Sequence, residues 1–164
     1  MCKVVRRGHF QSDEKEFKGK SLEKLYSAGK DLYYLLNQGY KIKGASVFVG
    51  NHYLLSERQR LALTRGISSK ENIKTRKDKE VKGNLENATV NIDGFNTIIT
   101  LEVALSHSLL IKSMDETYRD LAGLRGTYRI VDKTQLAIIL IGETLEKHKI
   151  KKVNFYLDAP VSNS

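Results

Sequence analysis

Two apolar segments that each end in an aspartate constrain most strongly what this chain can fold into. Residues 89–92 are followed by Asp93, Gly94 and the start of a predicted helix. Residues 153–157 are followed by Asp158 in the same way. Because helical patterns separate the two segments, the order predicts a crossover between parallel strands. Both aspartates would then lie at one edge of an α/β sheet.

These two aspartates are the first candidates for chemistry. A carboxylate that follows a parallel strand lies where α/β proteins bind ligands, so we interpret Asp93 and Asp158 as candidate catalytic and metal-binding residues. Asn96 follows Asp93 by three residues and could orient its carboxylate or a bound water. The alternative is that an aspartate in this position only caps the following helix, and the sequence leaves that alternative open.

Two helical segments lie between the strands. Apolar residues at helical spacing favour helices near residues 97–105 and 132–148. The apolar run at residues 138–141 predicts that the second of these helices is well buried. The resulting order of strand, helix, helix and strand is that of a parallel α/β sheet.

The short segment 121–126, within residues 111–129, is too rich in glycine for a stable helix. It therefore predicts a loop near the strand ends that displays Arg125 and Arg129. Guanidinium groups match phosphate oxygens, so these arginines are candidate contacts to a nucleic-acid backbone. Salt bridges with the acidic side chains of residues 111–129 are the alternative interpretation.

Positive charge is concentrated in the first half of the chain. Residues 1–83 carry 19 lysines and arginines against 9 acidic residues, whereas residues 84–164 carry 9 against 10. We therefore predict a basic helical domain over residues 1–83 that docks on a polyanion, and an α/β domain over residues 84–164. The polar segment 68–83 before this boundary is a helix or a linker. A lysine-rich, solvated surface is the alternative explanation of the charge.

Three short helices with tight turns are predicted in the basic half. They begin near Ser21, Ile42 and Ser56, and Ser56 with Gln59 has the sequence of a capping box. In outline this pattern resembles a helix-turn-helix, whose second helix contacts DNA. The arginines of the third helix could contact phosphates, or could be solvated or paired with Glu57. They are Arg58, Arg60 and Arg65.

The composition excludes several classes of protein. No apolar run reaches the roughly 18–20 residues that span a bilayer, and no apolar segment follows the basic N-terminus as in a signal peptide. A single cysteine rules out an internal disulfide and a cysteine-rich zinc site. These features predict a cytoplasmic protein with no membrane partner. The absence of a glycine-rich phosphate loop argues against a nucleotide-binding α/β protein.

The sequence ends soon after Asp158. Two parallel strands do not form an independently stable sheet, and parallel sheets are covered on both faces. We therefore expect the α/β domain to be incomplete, with a second chain or a further C-terminal segment completing its sheet.

The motif Ile-Asp-Gly-Phe-Asn at residues 92–96 resembles the opening of the PIN-like NYN ribonuclease domains. These domains begin with a strand, then Asp-Gly-aromatic-Asn, then a helix, and their next strand carries another aspartate, as Phe-Tyr-Leu-Asp at residues 155–158 does here. The resemblance implies a Rossmann-like fold in which carboxylates, here Asp93 and Asp158, hold Mg²⁺ or Mn²⁺ for phosphodiester hydrolysis. The later Ser/Thr-Asp strand of these domains has no counterpart in this chain.

Nearly the whole chain also resembles an uncharacterised, mainly archaeal two-domain family. Residues 50–60 match its N-terminal helical domain of unknown function, and residues 92–96, 119–123 and 157–164 match its C-terminal part. The nuclease resemblance and the positive charge of the first half together lead to the hypothesis of a metal-dependent, ribonuclease-like protein with a basic helical nucleic-acid-binding domain and RNA as its partner. A non-catalytic nucleic-acid or ribonucleoprotein-binding module is the alternative.

Overall fold

Contacts between residues divide the chain into two units in the computed structural model, which describes residues 5–123, 127–159 and 161. The α/β unit comprises residues 1–9, 81–109 and 122–164. The helical unit comprises residues 10–80 and 110–121. Each unit therefore includes one segment, 1–9 or 110–121, from the opposite half of the sequence.

The helical unit has five helices among the described residues, and three of them pack around one core. The helices are α1 Asp13–Glu16, α2 Gly19–Asn37, α3 Ile42–His52, α4 Glu57–Gly66 and α5 Lys70–Asp78. Apolar side chains at helical spacing on α2, α3 and α4 form the core, namely Leu25, Ala28, Leu32, Ala45, Val49, Ala62 and Leu63. The three predicted helices are thus confirmed, and α1 adds a short turn ahead of them.

Side-chain caps fix where two of these helices begin. The Ser56 hydroxyl accepts the Gln59 amide at 3.1 Å, and the Gln59 side chain accepts the Ser56 amide at 3.2 Å, which confirms the predicted capping box of α4. The Ser69 hydroxyl accepts the Asn72 amide at 3.3 Å. Of the two predictions for segment 68–83, the helix is therefore correct for Lys70–Asp78.

A β-hairpin lies directly before the glycine-rich segment that is predicted to be a loop. Strands β2 Leu110–Lys112 and β3 Tyr118–Asp120 pair antiparallel, and the turn between them has Glu116 at a positive φ of 69°. The hairpin was not predicted from the sequence, and residues 121–123, the described part of the predicted loop, lie in neither a helix nor a strand. Strands of three residues carry too little alternation to be recognised in the sequence.

The α/β unit contains the predicted parallel strand pair and its two helices. Strand β1 Thr89–Asp93 pairs in parallel with β4 Lys152–Tyr156, in a register that places Asp93 opposite Tyr156. Helices α6 Gly94–Leu105 and α7 Thr134–Lys147 lie between them in the chain. The core side chains come mainly from these helices, namely Phe95, Ile98, Ile99, Val103, Ala137 and Ile141. A mixed α/β fold with a small parallel sheet and a helical N-terminal region is thus confirmed.

Helix α7 is less buried than its apolar run predicts. Ala137 and Ile141 are buried, but Leu136, Ile138 and Ile139 are 44–49% exposed. Among the described residues α7 packs mainly against α6, and the parallel sheet has two strands, so one side of α7 is left uncovered. Among those same residues, no helix is both long enough and apolar enough to cross a bilayer.

Candidate functional site

The end of β1 places Asp93 at the edge where α/β proteins bind ligands. Gly94 follows it and lies so close to β4 that an added Cβ would meet the Leu157 side chain at 2.6 Å and the Tyr156 carbonyl at 3.0 Å. Only glycine permits this approach. The Asp-Gly pair therefore lets α6 start directly against the end of β4.

The Asp93 carboxylate is held by Asn96. Its Oδ1 accepts the Asn96 backbone amide at 3.3 Å, and its Oδ2 accepts the Asn96 side-chain Nδ2 at 2.6 Å. Asp93 is therefore the N-cap of α6, which explains why this helix begins at Gly94 rather than near Thr97. Asn96 orients Asp93, as one of its predicted roles requires, and both residues remain exposed.

Asp158 follows β4 by two residues and is exposed. Its backbone carbonyl accepts the Val161 amide at 3.0 Å, while its carboxylate makes no hydrogen bond or ion pair within the described part of the chain. Asp93 and Asp158 thus lie at or just after the carboxyl ends of adjacent parallel strands. Among the described residues, the Asp158 carboxylate has no hydrogen-bond or ion-pair partner.

The oxygen donors at this edge fit a hard divalent cation in part. Mg²⁺ keeps several waters and takes one or two carboxylates, and Asp93 and Asp158 supply that number. Among the residues that the structure describes, no group of three or more histidine, cysteine, aspartate or glutamate side chains is arranged to hold a metal ion. Metal binding by Asp93 and Asp158 stays a prediction.

Intramolecular contacts already use the guanidinium groups of α4 that were candidates for phosphate binding. Arg58 pairs with Asp13, donates to the Leu121 carbonyl at 3.0 Å and lies 4.1 Å over the Phe10 ring. The partner is therefore Asp13 rather than the neighbouring Glu57, and the Arg58 side chain is only 10% exposed.

The other two candidate arginines of α4 also contact their own unit. Arg65 donates to the Asp120 carbonyl at 2.6 Å and pairs with the Asp120 carboxylate at 3.3 Å. Arg60 donates to the Leu55 carbonyl at 2.9 Å and to the Val47 carbonyl at 3.4 Å. Phosphate contact by these residues stays a prediction, and it would compete with the internal contacts.

Of the two candidate arginines in the second half of the chain, the structure describes Arg129. Arg129 is exposed, and its backbone carbonyl accepts a hydrogen bond from Arg7. Arg125 lies outside the described residues.

A buried polar cluster in the α/β unit was not predicted from the sequence. Glu102 is completely buried, accepts the Tyr128 hydroxyl at 2.6 Å and the Thr134 hydroxyl, and pairs with Arg7 at 2.5 Å. Burial and the hydrogen bond to Glu102 raise the pKa of Tyr128 to about 12. One signal could have revealed the cluster, because Glu102 is the only charged residue in α6.

The fold and these residues define a two-unit α/β protein with a polar strand edge. A family model described as a domain of unknown function, DUF5616, matches residues 82–164, and one described as a protein of unknown function, DUF434, matches residues 24–79. The chain therefore belongs to the DUF5616 family, with a DUF434 region before it.

An uncharacterized protein of Methanocaldococcus jannaschii, MJ0935, is similar to most of the chain. The two are 41% identical over 146 residues, which cover 88% of this chain and 68% of that protein. This match confirms the uncharacterised two-domain family with an archaeal member. No solved structure shows a significant match.

Proposed function

We propose that this protein binds nucleic acid and that its α/β unit carries a PIN-like, metal-dependent ribonuclease site. The observation that carries the proposal is the exposed Asp93 carboxylate, which Asn96 holds at 2.6 Å beyond the end of β1. Asp158 follows the adjacent parallel strand with an unengaged carboxylate. This is the edge at which α/β folds bind ligands.

Each residue of the site has a distinct role in this proposal. Asp93 and Asp158 hold Mg²⁺ or Mn²⁺, and Asn96 keeps the Asp93 carboxylate in one orientation. When bound, the cation supplies an activated water and offsets negative charge on the phosphate that is attacked. Arg125 and Arg129, from the segment before α7, contact neighbouring phosphates of the RNA.

Replacing Asp93 with asparagine is expected to lower Mn²⁺-dependent cleavage of single-stranded RNA by at least about 100-fold, because loss of a metal ligand should cost no less than the roughly 10–100-fold lost when only an outer-shell partner of a ligand is changed. Asparagine caps a helix about as well as aspartate, so the thermal midpoint of unfolding should stay near that of the unchanged protein. The measurement is cleavage of an end-labelled RNA with and without EDTA, beside a thermal melt.

Glu143→Gln is the matched control, since Glu143 is an exposed carboxylate of α7 that makes no ion pair within the described residues. The Glu143 variant should cleave at the unchanged rate, and Asp158→Asn should behave like Asp93→Asn. Metal-dependent cleavage that persists in Asp93→Asn, or no cleavage by the unchanged protein, would contradict the catalytic part of the proposal.

A non-catalytic nucleic-acid-binding module is the second candidate. The N-cap role of Asp93 favours it, because capping alone accounts for an aspartate at this position. RNA binding without metal-dependent cleavage in the unchanged protein would select this candidate over the first.

A further inference from the structure

Helices α2 and α3 of the helical unit expose aromatic rings beside one another. Tyr34 of α2 is 63% exposed and Phe48 of α3 is 68% exposed. Both rings line one cavity of about 180 Å³, together with His52 at the end of α3. Two large aromatic rings that are exposed to solvent and line the same cavity indicate a binding surface for a partner.

Two of the residues that line this cavity, Asp31 and Tyr53, are joined by a hydrogen bond. The Tyr53 hydroxyl donates to the Asp31 carboxylate at 2.7 Å, which joins α3 to α2. The His52 ring meets the Tyr53 ring edge to face at 4.9 Å. The cavity is smaller than the roughly 300–1,000 Å³ of pockets that enclose whole metabolites, so it suits one flat ring inserted from a longer ligand.

Two exposed lysines are spaced along α2 and α3 so that each lies on the same helix face as one of these rings. Lys30 precedes Tyr34 by one helical turn, and Lys41 precedes Phe48 by two, so each lysine shares a helix face with a ring. Both lysines are exposed, with no ion pair in the described parts of the chain. The arginines of α4, by contrast, are used internally.

The charge of the whole helical unit has the same sign. Its residues include 17 lysines and arginines against 12 acidic residues, a net charge of +5. Aromatic rings interspersed with free cations are complementary to a single-stranded nucleic acid, which presents unstacked bases along a chain of phosphates. A neutral apolar partner would contact the rings but would not be complementary to the positive charge of the lysines.

We propose that the aromatic face, defined here as Lys30, Tyr34, Lys41, Phe48 and His52, binds single-stranded RNA. Bases stack on Tyr34 and Phe48, and the lysines contact the adjacent phosphates. The Asp31 carboxylate accepts an N–H group from the edge of the inserted base. This inference rests on the nucleic-acid-binding part of the proposed function and assigns it to α2 and α3 rather than to the arginines of α4.

Truncating either ring is expected to weaken RNA binding by about tenfold, because a base–aromatic stack contributes about that much to affinity. The measurement is fluorescence anisotropy of a labelled single-stranded RNA of about 12 nucleotides, in EDTA so that no cleavage occurs. Tyr34→Ala and Phe48→Ala are compared with Tyr118→Ala, which removes an equally exposed ring from β3 of the same unit. Because all three rings lie outside the core, circular dichroism should show unchanged folding.

The lysines give an independent readout. Lys30→Gln with Lys41→Gln should lower the slope of log affinity against log salt by about 1.4, since each phosphate contact on a single strand contributes about 0.7. Lys74→Gln with Lys79→Gln, which alters two exposed lysines of the α5 region, should leave the slope unchanged.

Three outcomes would overturn the inference. Equal affinities of the Tyr34, Phe48 and Tyr118 variants would show that binding occurs elsewhere, and the proposed function would survive. No RNA binding by the unchanged protein would refute both. Self-association in sedimentation that Phe48→Ala abolishes, without RNA binding, would make the aromatic face an interface between copies.

Discussion

Replacing Arg7 with methionine is expected to lower the free energy of unfolding by about 3–5 kcal/mol, because it leaves the buried Glu102 carboxylate without its counter-ion. Glu102 is fully buried and the Arg7 side chain is 16% exposed, so little water can replace the lost charge. Arg7 also lies 5.2 Å over the Tyr128 ring and donates to the Arg129 carbonyl. Methionine keeps much of the volume of the arginine side chain. The loss of stability in Arg7→Met is therefore due mainly to the missing positive charge.

Urea unfolding followed by circular dichroism measures this effect, and Arg6→Met is the matched control. Arg6 is exposed, and its side chain donates, within the residues that the structure describes, to the backbone carbonyls of Ser106 and His107, so its replacement should cost less than about 1 kcal/mol. Adding Glu102→Gln to Arg7→Met should restore about 1–2 kcal/mol, because the amide oxygen can still accept from Tyr128 and carries no charge. Equal midpoints for Arg7→Met and Arg6→Met would contradict the account.

Asp115→Asn is expected to lower the free energy of unfolding by about 2–3 kcal/mol at neutral pH. The Asp115 side chain is 1% exposed and accepts from Arg76 at 2.6 Å, Arg119 at 3.1 Å and the Thr117 hydroxyl at 2.6 Å. The amide of asparagine cannot pair with two guanidinium groups. The hairpin β2–β3 would then lose the Arg76 contact to α5 and keep the exposed Lys77–Glu116 pair.

The same aspartate should make the helical unit sensitive to acid. Burial alone would raise the pKa of Asp115, but hydrogen bonds from Thr117, Arg76 and Arg119 outweigh it and hold the pKa well below its usual range. A carboxyl group whose pKa is lower in the folded state stabilises the fold above its unfolded pKa of about 3.9 and loses that contribution as pH falls further.

Urea unfolding at a series of pH values between about 2 and 7 tests this dependence, which is expected below about pH 5. The unchanged protein should lose stability toward acid more steeply than Asp115→Asn, which lacks the titrating group. Asp78→Asn serves as the control, because Asp78 is exposed at the end of α5 and pairs with no described residue. Parallel acid curves for the unchanged protein and Asp115→Asn would show that Asp115 is not a source of the dependence.

Local patterns were sufficient to predict the elements on which the candidate site is built. The parallel pair β1–β4 follows from two apolar segments with helices between them, and the α4 capping box follows from Ser56 and Gln59 three residues apart. The Asp93–Asn96 contact also spans three residues, so the sequence could suggest it. All of these depend on spacing along a single segment.

Partners distant in sequence could not be predicted in the same way. Asp13 lies 45 residues from Arg58, and Asp120 lies 55 residues from Arg65, so the sequence offered the adjacent Glu57 as the nearest acidic partner instead. The Arg7–Glu102 pair likewise joins the N-terminal segment to α6. Which charge meets which depends on how the helices pack, and no local pattern specifies that.

The most direct test of the central claim is a crystal structure of the protein with Mn²⁺. The account predicts one ion bound by oxygens of both Asp93 and Asp158, with the two carboxylates within about 4–6 Å of each other and with water filling the remaining positions. The Asn96 side chain should still hold Asp93. An Asp93 carboxylate that serves only as the cap of α6, with no ion beside it and with Asp158 distant, would contradict the claim and leave a nucleic-acid-binding protein without a metal site.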